Sequence, residues 1–167
     1  MDRRKLGQEL RRPVSSWLLE LGAVMSDRHT EGCGALIYAR STNRYLFLLR
    51  TKHRSAGQWG IPGGKIESGE TVIQGLVREI QEEIGQDYTK GKFIPLETFT
   101  ADNRRFVYYT FLISVGDEFV PQLNEEHRGY CWVELDDHPK PLHPGLWRSF
   151  NFDIVKRKIR TLESILN

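Results

Sequence analysis

The sequence predicts an α/β fold in which a sheet of several strands is covered by helices on both faces. Short runs rich in β-branched and aromatic residues recur along the chain, one strongly periodic helical segment interrupts them, and a second helical stretch closes the sequence. A length of 167 residues fits one domain around a single core. Apolar residues at 39% and charged residues at 28% are an ordinary balance for a globular domain.

Residues 1–28 read differently from the rest. They begin with a basic group, Arg3-Arg4-Lys5 followed by Arg11-Arg12, and carry Trp17, Leu18, Leu19 and Leu21. The segment reads either as a short helical arm docked by those apolar side chains or as an appended piece, with the main domain over residues 29–167. From Gly34 to Tyr38 and from Tyr45 to Leu49 the chain reads as strands, joined by the turn composition Ser41-Thr42-Asn43. A glycine-rich loop, Gly57-Gln58-Trp59-Gly60-Ile61-Pro62-Gly63-Gly64, leads to a helix from Gly69 or Glu70 to Ile84, closed by Gly85 as a left-handed cap. Phe93–Phe99, Phe106–Val115 and Tyr130–Leu135 read as further strands. A single last helix is expected from Leu146 to Leu166, with Ile154, Val155, Leu162, Ile165 and Leu166 as its apolar stripe and Ile159 at the edge.

Charge excludes little but points away from nucleic acid. The 24 basic and 22 acidic residues leave a net charge of +2 and are mixed along the chain. Cys33 and Cys131 make neither a disulfide framework nor a zinc site and are expected to pack as small hydrophobes. No apolar run approaches the ~20 residues that span a bilayer, and Glu20 interrupts the most apolar N-terminal stretch, which speaks against a secretory signal core. A cytoplasmic, reducing location without membrane partners is the default expectation.

The chemistry concentrates between Gly57 and Gly85. At about 100° per residue, Ile73, Val77, Ile80 and Ile84 fall within one narrow arc, which is expected to enter the core, while Glu79, Glu82 and Glu83 share another. A solvated acidic face is the ordinary explanation of such a cluster. It fits poorly, because Glu79 and Glu83 are like charges at i,i+4 and all three glutamates stand toward the negative end of the helix dipole. A bound divalent cation removes both objections, and an all-oxygen donor set points to Mg²⁺ or Mn²⁺ rather than zinc. Gly63-Gly64 allows the backbone to approach such an ion or a phosphate closely, although glycines also make tight turns with no ligand.

Gly64, five residues, Glu70, seven residues, Arg78-Glu79-Ile80, one residue, Glu82-Glu83, one residue, Gly85: this pattern resembles the Nudix box, and Trp59-Gly60-Ile61-Pro62-Gly63 precedes it as often in that family. Gln86 departs from the aliphatic residue usual after the final glycine, and Gly75 stands where alanine is common. The resemblance suits roughly residues 30 to 166 and implies an α/β/α sandwich with a mixed sheet between helices. It implies an enzyme that hydrolyses, with Mg²⁺, the diphosphate bond of a nucleoside diphosphate linked to another moiety. Glu79, Glu82 and Glu83 would hold the metal with the Gly64 carbonyl, Arg78 would orient a catalytic carboxylate, and Glu70 and Gly85 would be structural. Glu126, in Asn124-Glu125-Glu126-His127 six residues before Trp132, resembles the family's later carboxylate, a further ligand or the general base.

Outside the box the readings stay open. Arg50, Lys52 and Arg54 are candidates to hold phosphate oxygens, against a solvated basic loop. Trp59 either stacks on a base or wedges under its loop. Tyr109 and Phe111 share one strand face and Tyr108 takes the other. His127 is expected in an exposed loop as neither ligand nor base, and His138 and His143 in a rigid proline-rich loop. A small-molecule nucleotide is the expected partner, with a nucleotide sugar or an ADP-ribose-like compound ahead of dinucleoside polyphosphates and nucleoside triphosphates. A non-catalytic nucleotide-sensing module, an isoprenoid diphosphate isomerase and an RNA cap hydrolase are the other classes. The complete box argues against the first two and the weak net charge against the third. Family members often pair as homodimers.

Overall fold

The computed structural model describes residues 29–167; the arm expected over residues 1–28 lies outside the described residues. Seven strands form one mixed sheet: β1 Thr30–Ala39, β2 Arg44–Arg50, β3 Trp59–Gly60, β4 Gly63–Lys65, β5 Ile94–Thr100, β6 Phe106–Val115 and β7 His127–Val133. Its helices are α1 Val72–Ile84, α2 Pro144–Phe150 and α3 Asp153–Leu166. Expected and observed architecture agree: an α/β fold with helices on both faces of the sheet.

The centre of the sheet is β1, buried without a break from Gly32 to Ala39. Such a run has no polar face because each face is covered. Cys33, Ala35, Ile37 and Ala39 pack with Leu76, Ile80 and Ile84 of α1 on one side. On the other, Leu36 and Tyr38 join Leu146 of α2 and Val155 and Ile159 of α3. Parallel pairing with β6 takes one whole edge of β1, from Thr30↔Phe106 to Ala39↔Val115. The other edge is divided: Gly32–Gly34 pair with β4 and Tyr38–Ala39 with β2. That division seats β4, and with it the glycine loop, against the N-terminal part of β1, and α1 follows directly after β4 in the chain.

The start of α1 is set by a capping box. Thr71 accepts from the Gln74 backbone N–H at 3.2 Å, and the Gln74 side chain accepts from Thr71 N–H at 2.8 Å. The helix therefore begins two to three residues after the expected Gly69 or Glu70, although Thr71-Val72-Ile73-Gln74 carried the signal. Its end is as expected, with Gly85 left-handed at φ 69°.

Three expectations are corrected. The buried face of α1 is Gly75, Leu76, Ile80, Glu83 and Ile84, while Ile73 and Val77 are only partly buried; the core arc is rotated toward Leu76. The last helix is two helices, because Asn151 ends α2, its N–H and side-chain amide both turned back on the α2 carbonyls, including that of Trp147. Ile159 consequently stands at the middle of the buried stripe, and Ile154 and Ile165 are exposed. Finally, β7 starts at His127 and ends at Val133, three residues before the expected start at Tyr130. Both cysteines lie within strands, Cys33 in the core and Cys131 half-buried against it, as small apolar groups; burial pushes the Cys33 thiol up to about 12.

Candidate functional site

Gly63 and Gly64 stand between two features of the site, and a side chain at either would meet space already occupied. Gly63 has φ 147°, and a Cβ there would lie 2.2 Å from the Cys33 carbonyl oxygen. At Gly64 a Cβ would fall 2.5 Å from Oε2 of Glu79, so that carboxylate occupies the space a side chain would need. The backbone N–H of Gly63 donates to Oε2 of Glu83 at 2.7 Å. Loop and helix thus hold one another through the two carboxylates one turn apart on α1.

The three glutamates do not share one environment. Glu83 is buried and Glu79 nearly so, at 4% and 14% side-chain exposure, whereas Glu82 is 56% exposed. The separation of a core-facing arc from an arc of glutamates therefore fails at Glu83. It turns toward the sheet edge, where the Gly63 N–H and His127 receive it. Burial holds Glu83 up at about 8 against the Gly63 N–H, and it raises Glu79 as well, outweighing the Arg78 guanidinium beside that carboxyl.

Arg78 gathers the remaining carboxylates. Its guanidinium forks onto Glu70 through Nε at 2.7 Å and Nη2 at 3.0 Å, and Nη1 donates to Glu79 at 2.9 Å and Glu82 at 3.3 Å. Nη2 also donates to the Lys65 carbonyl at 2.9 Å. Paired in this way, Glu70 is held down at about 2. Among the described residues no three His, Cys, Asp or Glu side chains converge as a ready-made metal cage would. The reason is visible in the bonds: Arg78 draws Glu79 and Glu82 one way, and Gly63 draws Glu83 the other.

His127 is another correction. It is not in an exposed loop but buried at the start of β7, with Nε2 3.8 Å from Oε1 of Glu83 and Nδ1 3.3 Å from the Asn124 side-chain oxygen. Burial pushes its imidazole down to about 4, so it is neutral at pH 7. Glu126 lies beside it, half-buried, its N–H donating to Asn124 at 3.0 Å. Its charge reaches Glu79 and Glu83, adding to what holds both carboxyls up. Glu125 points elsewhere, pairing with Lys52 at 2.9 Å, and Arg54 is exposed. Of the three basic candidates only Arg50 borders the site, held by a 2.9 Å bond from Nε to Ser55.

A cleft of about 310 Å³ opens on the other side of Gly63 and Gly64. Arg50 and Ile61 line its inner end, and Phe99, Phe106 and Tyr108 form an aromatic wall. Gly32 and Gly34 make that wall possible, since a Cβ on Gly34 would lie 2.4 Å from the Tyr108 hydroxyl. Glu97, Arg148 and Ser149 close the outer end. Sequence reasoning weighed Arg50 and Tyr108 but passed over Glu97, Arg148 and Ser149, a group that joins residues about fifty positions apart. Trp59 is wedged, half-buried, among the side chains packing on the α2–α3 side, and does not line the cleft. His143 caps α2 by accepting the Gly145 N–H at 3.2 Å.

This geometry is that of a known family. A profile of the NUDIX domain matches residues 28–152. Nucleoside triphosphatase NudI of Escherichia coli is 33% identical over 91 residues, covering 48% of this chain and 64% of the relative, so the match spans less than two thirds of that protein. A MutT NUDIX hydrolase from Burkholderia pseudomallei superposes with a TM-score of 0.62 at 30% identity, over 72% of this chain and 95% of its own. The dihydroneopterin triphosphate pyrophosphohydrolase of E. coli does so with a TM-score of 0.52 at 25% identity, over 62% and 80%. The chain belongs to the Nudix family. No helix among the described residues is long and apolar enough to cross a membrane.

Proposed function

We propose that this chain is a Mg²⁺-dependent pyrophosphohydrolase of a nucleoside triphosphate, releasing a mononucleotide and pyrophosphate. The observation that carries the reading is the double role of Gly63 and Gly64. They wall the cleft on one side and receive the carboxylates of Glu79 and Glu83 on the other, so a phosphate chain entering past the aromatic wall meets the acidic cluster at the glycines. A cleft of about 310 Å³ is at the small end of the ~300–1,000 Å³ range of ligand sites, which favours one nucleoside over two linked ones. Two of the relatives named above, the nucleoside triphosphatase and the dihydroneopterin triphosphate pyrophosphohydrolase, carry a triphosphate substrate in their names, which supports triphosphates over the nucleotide sugars and ADP-ribose-like compounds favoured on sequence.

The residues fit a hard divalent cation. The donor set is all oxygen, and two buried carboxylates with raised proton affinity stand one turn apart, where a divalent cation would offset the cost of burying their charge. Glu79, Glu82 and Glu83, with the Gly64 carbonyl, would hold it. When bound, Mg²⁺ supplies charge neutralisation and Lewis-acid polarisation at the phosphates. The chain does the rest. Arg50, at the inner end of the cleft, holds phosphate oxygens. Arg78 fixes Glu79 in place from Glu70 and the Lys65 carbonyl. The attacking water loses its proton to a carboxylate of the cluster, with Glu83 and Glu126 as the candidates. The aromatic wall holds the base and keeps water from that side of the nucleotide.

The test is a release assay with Mg²⁺ across nucleoside triphosphates, nucleotide sugars, ADP-ribose and dinucleoside polyphosphates, with a Glu83→Gln control. Pyrophosphate released from triphosphates, and lost in the control, supports the reading. Turnover confined to sugar-linked or dinucleoside substrates overturns the substrate class, and silence with every substrate overturns the activity.

A further inference from the structure

The outer end of the cleft carries a polar group that neither the box nor the chemistry at the glycines uses. Glu97 would point away from the cleft if β5 were regular. A bulge between Pro95 and Glu97 shifts the register, so that Glu97 pairs with Thr110 and Phe99 with Tyr108. Residues directly opposite in an antiparallel ladder share a face, and a one-residue shift exchanges faces. The bulge therefore places a carboxylate in the plane of the aromatic wall formed by Phe99, Phe106 and Tyr108.

That carboxylate is held in a fixed orientation. Nη2 of Arg148 donates to Oε1 of Glu97 at 2.8 Å, and the Ser149 hydroxyl donates to Oε2 at 2.5 Å. The Arg148 guanidinium is itself fixed, its carbon 4.1 Å over the Phe99 ring. Glu97 is 11% exposed and Arg148 40%, so the pair is half-buried but open to the cleft. Each carboxylate oxygen has a second acceptor position, and a guanidinium carries five N–H donors in one plane. Followed along these bonds, the group lining the cleft runs from the Arg148 guanidinium to Oε1 and then Oε2 of Glu97, a donor beside two acceptors.

We infer that Glu97 and Arg148 select the base of the substrate, and that the base is guanine. Only guanine offers the complementary row of two adjacent donors, the 2-amino group and N1–H, followed by the acceptor O6. Adenine and cytosine offer one donor beside an acceptor, and uracil and thymine one donor between two acceptors. The aromatic wall supplies stacking to any base; the carboxylate and guanidinium supply the choice. This inference rests on the cleft being the nucleotide site proposed above.

The test compares guanine with hypoxanthine, which differs only by the missing 2-amino group. Binding of GMP and IMP to the full chain with Mg²⁺ is measured by calorimetry, and KM and kcat for GTP and ITP in parallel, in wild type, Glu97→Gln and Arg148→Lys. One hydrogen bond to a charged acceptor corresponds to roughly a 10- to 100-fold preference for GMP over IMP. That preference should appear in KM rather than kcat, because a base contact is made equally in the ground and transition states. In Glu97→Gln the GMP-to-IMP ratio should fall toward unity while IMP still binds, which separates a lost contact from a misfolded variant. Arg148→Lys should weaken both ligands alike, since both carry O6. Equal binding of GMP and IMP by wild type, or a preference that survives Glu97→Gln, overturns the inference. The binding arm reads base choice without turnover: guanine preference with no hydrolysis overturns only the proposed activity, and hydrolysis without guanine preference overturns only the inference.

Discussion

The Gly63 backbone N–H donates to Oε2 of Glu83 at 2.7 Å, and this single bond ties the glycine loop to the helix that carries the acidic residues. It fixes a buried carboxylate at the sheet edge with its second oxygen toward His127. Much of the site's behaviour follows from that placement.

Glu83→Gln keeps an acceptor for the Gly63 N–H and is nearly isosteric, so the fold should survive. A carboxylate that binds the cation or takes the proton should be missed by about 100-fold or more in kcat. Kinetics together with a thermal melt check both halves. Near-normal kcat would remove Glu83 from the reaction.

Gly63→Ala should damage the fold itself. The added Cβ would sit 2.2 Å from a backbone oxygen, at a φ that L-residues rarely adopt, and backbone cannot move aside as a flexible side chain does. A loss on the order of 3 kcal/mol is expected, or roughly 10 °C in melting temperature. Gly64→Ala meets the Glu79 side chain instead, so melting should change less and activity more.

Arg78→Lys removes the fork that spans Glu70, Glu79 and the Lys65 carbonyl while keeping the charge. A fall in kcat of about 10- to 100-fold with small change in melting is expected, as for residues that orient metal ligands. Ile80→Asp, by contrast, places a charge at a fully buried position against β1 and should leave no folded protein to assay.

Stability of the metal-free protein should depend on pH in a stated direction. Glu83 is held up at about 8, so its contribution is fully present below its ordinary value of 4.5 and is lost as pH rises through 8. His127 is pushed down to about 4, so its contribution is present above 6.5 and is lost as pH falls through 4. Between pH 6.5 and 8.5 only the first acts, and melting temperature in a chelator should fall. Glu83→Gln should flatten that slope; an unchanged slope would mean the proton is not on Glu83.

Sequence made the box, the left-handed cap at Gly85 and the strand Phe106–Val115 legible because each is a local pattern: fixed spacing, a glycine after a periodic run, a dense β-branched and aromatic stretch. What it hid depends on distant partners. His127 reads as a loop residue because what places it, pairing with Arg50 of β2 and the neighbouring Glu83, lies far along the chain. The break between α2 and α3 is masked by apolar residues that continue across Asn151. Glu97, Arg148 and Ser149 carry no motif at all; a β-bulge and a helix N-terminal to the break bring them together.

A cation site built on Glu83 is tested most directly by calorimetric titration of Mg²⁺ into metal-free wild type and Glu83→Gln at pH 7, in two buffers of different ionisation enthalpy. A carboxyl held up at about 8 carries its proton at that pH and must give it up to a cation. Wild type should take up Mg²⁺ with proton release, and the variant should take it up weakly and without release. Absence of uptake, or identical uptake and proton release in both proteins, would contradict such a site.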